Sequence, residues 1–300
     1  MTTPPPPATP RAAHPPATPG PATTPPDTHR TALPHSAAVH LATAPQPSDA
    51  RRGAVARGPG GRRAMTAHAA IAAEMGGRGR VVLSTLRSAP PLTLRQTGPE
   101  RVHLVATAAG PLGGDRLRLD VRVGPGARLE VASVASTLVL PGRGESVMVV
   151  EAHVEAGGRL VFTPEPTVLA AGCRHRMVVR LTLAAGASAV WREEIVFGRY
   201  GEAPGRCHSR FDAVHDGRPL LRQEFVVGDP AVDGSPAVYG DARCVGSVLF
   251  AGDEPRPLAA EVGEGRAVLP LAGPGTLVSA LAPDAVRLRE RLALPAPDGP

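Results

Sequence analysis

The sequence predicts an all-β fold of stacked hairpins, mainly antiparallel and sandwich- or β-helix-like, with one or two short helices. Three observations predict it. Apolar and charged residues alternate with period two, turn glycines recur about every thirty residues, and helical spacing is confined to one segment near the C-terminus.

The alternation is clearest in "RLRLDVRVGPG". Leu117, Leu119, Val121 and Val123 interleave with Arg116, Arg118, Asp120 and Arg122. Successive strand side chains point to opposite faces, so one face is apolar and the other charged. Gly124-Pro125-Gly126 then ends the strand. The pattern is written three times: apolar residues stand seven, five and three places before Gly126 (Leu119, Val121, Val123), Gly157 (Val150, Ala152, Val154) and Gly186 (Val179, Leu181, Leu183). A looser fourth copy turns at Asp216-Gly217, a hairpin signal. Repeats that bury one another suit a sandwich, a barrel or a β-helix-like stack, and the spacing does not choose among them. "PDAVRLRERLAL", residues 283–294, reads as a helix: Pro283-Asp284 starts it, and Leu288 and Leu292 stand four apart.

Residues 1–64 differ in composition. Rich in proline, threonine and alanine, they lack the large apolar residues a core needs and are expected to be a disordered extension. Residues 65–300 are expected to form one β domain beginning near Met65. The extension holds seven arginines and two aspartates, five of the net +6 charges. The remainder is near neutral, with arginines alternating along strands, which argues against a nucleic-acid partner. Its apolar runs are too short to span a bilayer, and the N-terminus has no secretory apolar segment. Three scattered cysteines fit a reducing compartment, so a cytoplasmic location is expected.

The glycines of "AGPLGGDR" open onto a strand, with neither lysine nor hydroxyl, so they are not a phosphate loop. A loop entering a strand explains them: Gly113 and Gly114 would supply positive φ, and Asp115 would bond nearby amides. Cys173 and His175 stand two apart on a strand and share a face, a geometry a soft metal could use. Cys207 and His208 are adjacent and face opposite ways; no standard zinc spacing occurs. Glu193 and Glu194, being adjacent, cannot act as an acid–base pair on one substrate. Glu165 sits between two prolines on a loop. No catalytic motif is found.

The series "LRSAPPLTLRQTG", "GPLGGDRLRLDVRVGPGARLEVASVASTLVLPG", "TPEPTVLAAG", "LAAGASAVWREEIVFGRYGE" and "DGRPLLRQEFVVG" resembles the UreD (UreH) family of urease accessory proteins over roughly residues 68–293. The resemblance implies a non-catalytic scaffold that binds apo-urease, recruits the helical protein UreF and through it the GTPase UreG, and guides nickel through an internal tunnel to urease. Nickel would be transient cargo, with no tightly bound cofactor. Gly113, Gly114, Asp115 and Arg116 match the family's motif and are expected at a structural or partner-facing loop near the nickel path. Cys173, His175, Glu193 and Glu194 are the candidates for transient metal contact, with one of the two glutamates facing inward. "PEPT" stands where relatives carry a "PQET"-like segment. The alternatives are a β-repeat interaction module without a metal role and a β-fold enzyme acting on carbohydrate. The latter is disfavoured by the scarcity of aromatics on which sugars could stack.

Overall fold

The computed structural model describes residues 63–252 and 259–293. The disordered extension expected over residues 1–64 lies, apart from its last two residues, outside them. The strands are β1 (Thr66–Met75), β2 (Val81–Arg87), β3 (Leu92–Gly98), β4 (Arg101–Ala106), β5 (Arg116–Val123), β6 (Arg128–Ser133), β7 (Thr137–Val139), β8 (Ser146–Val154), β9 (Arg159–Thr163), β10 (Thr167–Leu169), β11 (Arg174–Leu183), β12 (Ser188–Val196), β13 (Arg206–His215) and β14 (Arg218–Val227). Helix α1 (Pro230–Asp233) precedes β15 (Cys244–Gly252), β16 (Glu261–Gly263), β17 (Arg266–Pro270), β18 (Gly275–Ala282) and α2 (Ala285–Leu292). Asp284 caps α2 by accepting from the Arg287 amide at 2.8 Å, as the Pro-Asp start predicts.

The fold is a β-solenoid of about four turns, closed at its ends by antiparallel strands. Its first sheet runs β14-β13-β11-β8-β5-β1-β2; β1, β5, β8, β11 and β13 are parallel, with β2 and β14 antiparallel at the edges. In the second sheet β4, β6, β9 and β12 are parallel, flanked by antiparallel β3 and by β15, β18, β17 and β16.

The sheets are thus mixed, where the sequence suggested mainly antiparallel hairpins. The reason lies in the turns. A two-residue hairpin of type I′ needs positive φ at both central residues. Asp216 (φ 47°) and Gly217 (φ 69°) meet that requirement, and β13–β14 is a true hairpin. The three earlier turns each place one glycine in the left-handed region, Gly126, Gly157 and Gly186 at φ 66°, 68° and 71°. Such an arc carries the chain across to the opposite sheet. Strands consecutive in sequence therefore face each other, and each pairs with its counterpart one repeat later.

The three sequence repeats lie in register: Leu119 opposite Val150 opposite Val179, and Val123 opposite Val154 opposite Leu183. These rows are buried and meet Leu129, Leu160 and Ala189 from the second sheet. Trp191 joins the two sheets, stacking on Phe162 at 4.0 Å and tilting onto Phe211 at 5.5 Å.

The charged set lines the outer face of the first sheet, so the arginines do share one face, but carboxylates are interleaved with them. Arg118 bonds Asp120 and Glu151, Arg180 bonds Glu151, and Arg210 bonds Asp212 and Glu224. Those carboxylates offset part of the arginine charge on that face. On the second sheet the outer face is apolar around Val248, Ala280 and Ala282, and α2 covers it with Leu288 and Leu292. Among the described residues no helix is long and apolar enough to cross a membrane.

Candidate functional site

Moving along the strands away from the glycine arcs, the inner face of the first sheet changes character. Beyond Leu119, Val150 and Val179 comes the row Leu117, Met148, Met177, Ser209. Beyond that lies Asp115, Ser146, His175, Cys207. All four of this last row are buried.

The first glycine knot builds one end of the row. Asp115 accepts from the Leu112 amide at 2.9 Å and the Met65 amide at 2.8 Å, which fastens the start of the domain. Of the two glycines only Gly114 has positive φ, at 95°. Gly113 serves close approach instead: a Cβ there would lie 2.6 Å from the Gly142 carbonyl carbon. Arg116 donates to the Glu145 carbonyl at 2.6 Å.

A cavity of about 200 Å³ opens beside the methionine row, between the sheets. Met148, Met177, Phe162 and Trp191 give it apolar walls, and His175 and Glu193 reach in from facing sheets. Along β12, Trp191 pairs with β9 and Ile195 with β10, so Arg192–Glu194 lie opposite the loop Pro164–Pro166. Through that gap Arg192, Glu194 and Glu165 also line the cavity. A second hollow of about 210 Å³ is lined by Glu145, Cys207, His208 and Asp229, and His175 is shared by both.

His175 is 3% exposed, and its Nδ1 lies 2.8 Å from the Ser146 hydroxyl. Burial lowers its pKa to about 4, so the ring is neutral at pH 7. Glu193 accepts from the Ser209 hydroxyl at 2.7 Å, and burial raises its carboxyl pKa.

Glu194 is buried too, so both glutamates are enclosed where alternation expected only one to face inward. Its side chain is clamped by Arg289 of α2, at 2.8 and 3.3 Å, with Arg192 Nε at 3.5 Å. The same guanidinium reaches Glu165 at 3.0 and 3.4 Å, so that loop glutamate is held and only partly exposed. The outer side of β12 is covered because α2 lies on it, which strand alternation alone does not reveal.

Cys173 lines neither hollow. It packs with Phe197, Cys207 and Tyr239 in a second apolar cluster. Burial pushes the Cys173 and Cys244 thiols up to about 11 and Cys207 well above its ordinary value. At neutral pH these are thiols, not thiolates. Among the described residues, no three or more His, Cys, Asp or Glu form a metal-holding group.

Ser146, Met148 and Met177 were not singled out from the sequence, although a signal was present. Asp115, Ser146 and His175 each stand eleven places before a turn glycine, and Leu117, Met148 and Met177 nine. Extending the repeat alignment by two more positions identifies both rows.

The sign of the His175 effect on stability follows from its lowered pKa. Below pH 6.5 the unfolded chain takes up a proton that the folded chain refuses until about pH 4. Stability is therefore lost as pH falls through that window, by about 3 kcal/mol from this group. Urea melts of wild type and His175→Gln between pH 7 and 4 should converge toward low pH. Parallel curves would refute the assignment.

Fold and cavity together define a β-solenoid protein with a cavity between its sheets. A family model described as UreD urease accessory protein matches residues 65–294. Urease accessory protein UreD of Parafrankia sp. (strain EAN1pec) is 44% identical over 261 residues, covering 77% of this chain and 88% of that protein. Its counterpart in Frankia alni is 45% identical over 287 residues, covering 80% and 95%. That of Streptomyces avermitilis is 43% identical over 237 residues, covering 75% and 94%. The chain belongs to the UreD family of urease accessory proteins, which act in urease maturation and are not catalytic.

Proposed function

We propose that this protein is a cytoplasmic scaffold that guides nickel into apo-urease, working with a UreF-like helical protein and, through it, a UreG-like GTPase. Nickel is cargo here, held briefly. The observation that supports the reading is the position of His175, a wall common to the outer hollow and the inner cavity. A cation would be collected near Glu145, His208 and Asp229 and pass His175. It would then travel toward Glu193 and Glu194, while Cys173, which lines neither hollow, is left off the path.

Neutral imidazole and hydrogen-bonded carboxyl groups suit weak, repeated binding, which a conduit needs: favourable enough to enter, loose enough to leave. The Gly113, Gly114, Asp115, Arg116 loop braces the end of the row that carries His175, and we assign it a supporting or partner-facing role on that path. The functional body is residues 65–294, and the proline-rich segment before it is dispensable.

The test is urease maturation in a strain lacking this gene, at limiting nickel. Loss of urease nickel and activity, partly restored by excess nickel, is expected. The chain starting at Met65 should rescue fully. His175→Phe should rescue poorly at limiting nickel while still co-purifying with the UreF-like protein. Fully nickel-loaded urease in the deletion strain would refute the scaffold role; full rescue by His175→Phe would refute the path.

A further inference from the structure

The cavity has two chemically different ends. Glu165, Glu194, Arg192 and Arg289 hold charge at one. The other is formed by Met148, Met177 and His175, with the buried Glu193 carboxyl facing them from the second sheet, bonded to Ser209 beside Met177. Three of its features are unusual for a protein interior.

First, the methionines are in direct register on adjacent parallel strands, Met148 opposite Met177, with His175 two residues before Met177 on the same face. Neighbouring strands are about 4.8 Å apart and alternate residues about 6.6 Å apart, so three donors start within one side chain's reach of a common point. Methionine's three rotatable bonds let its sulfur close that distance. Second, both methionines are only partly buried although they point inward, whereas Val150 and Val179 one step along are 6% and 4% exposed. Both methionines line the cavity while packing against the apolar clusters beside it. Third, the Ser146 hydroxyl bonds the His175 ring at Nδ1, and His175 lines the cavity. A hydrogen bond at one nitrogen is how a ligating imidazole is oriented.

Chemistry selects the ligand. Thioethers are soft neutral donors and favour Cu(I) over hard or borderline dications. Phe162, Trp191, Leu117 and Val150 make much of the wall around them apolar, and the cost of placing an ion in such a medium grows with the square of its charge. A monovalent cation therefore pays about a quarter of what a dication would. We propose that Met148, Met177 and His175 form a binding site for a soft monovalent d10 cation, Cu(I) or Ag(I), inside the cavity. The site shares His175 with the proposed nickel path, but its test needs no urease and no partner. Its consequence for that reading is that copper or silver would lodge beside a nickel path and obstruct it.

The probe is Ag(I), which needs no reductant, titrated in chloride-free buffer into the full chain labelled at its methionine methyl carbons. Five methyl signals are expected, from Met1, Met65, Met75, Met148 and Met177. Those of Met148 and Met177, assigned by single leucine substitutions, should shift together as one equivalent is bound. Met148→Leu/Met177→Leu nearly conserves volume, so the fold is retained, and should weaken Ag(I) binding about tenfold or more. A parallel titration of Cys173→Ala/Cys207→Ala/Cys244→Ala should still move both methyls. If that triple variant does not fold, the methyl shifts in the unsubstituted chain decide. Uptake of Ag(I) with both signals unmoved would overturn the site and assign the metal to the thiols. Unchanged affinity in the leucine pair would also overturn it, and Zn(II) shifting the same methyls equally would end the claim of soft selectivity.

Discussion

Arg289→Ala is expected to destabilise the folded chain by about 2–4 kcal/mol, without any change in the core. The cost falls on Glu194, whose side chain is fully buried and would lose its bidentate partner. Removing one member of a fully buried pair costs about 3–5 kcal/mol. Two features reduce it here. Arg289 itself is 43% exposed, and Arg192 remains 3.5 Å from the same carboxylate. The measurement is a urea melt at pH 7, read as a fall in midpoint at constant slope. Glu194→Gln should absorb most of the effect, because a neutral amide no longer demands a counter-charge. Additive losses in the double variant would show that Arg289 acts through packing alone. Arg289→Lys keeps the charge but cannot bridge Glu194 and Glu165 with a planar fork, so an intermediate loss is expected.

Trp191→Ala should cost still more, about 3–5 kcal/mol. The indole is 1% exposed and is sandwiched between Phe162 and Phe211, which belong to opposite sheets. Truncation removes its transfer energy, leaves a void beside an existing cavity, and gives up ring contacts that contribute about 0.5–1.5 kcal/mol beyond area. The void cannot collapse easily, since Phe162 is fixed by its own strand and Phe211 by the facing sheet. Trp191→Phe should recover more than half of the loss. Because Trp191 is the only tryptophan, unfolding of these variants is followed by far-ultraviolet circular dichroism. A loss within about 1 kcal/mol for the alanine variant would mean that the cavity wall is already relaxed at this point.

Both substitutions act where information is non-local, and that separates what could be read in the chain from what could not. The inner faces were legible. Leu119, Val121 and Val123 and their counterparts before Gly157 and Gly186 alternate with charge, and they are buried in register. The Asp115 role was legible too, because an aspartate after two glycines bonds nearby amides, here Leu112 and Met65. The donor row was half legible: His175 was noticed for its neighbour Cys173, yet its partners are Ser146 and Cys207 on adjacent strands.

By itself, the sequence determined an all-β body of repeated strands, which residues face inward, and the family to which the chain belongs. Period-two alternation and glycine spacing are local properties, set by strand geometry and positive φ. Only the tertiary structure decided that the repeats stack in parallel, that both Glu193 and Glu194 are enclosed, and that Arg289 clamps Glu194 and Glu165 from 95 and 124 residues away. The physical reason is that a turn's backbone angles select the sheet to which the next strand returns. Contacts such as those of Arg289 with Glu194 and Glu165 join a segment outside the repeat to the stack, and they leave no period along the chain.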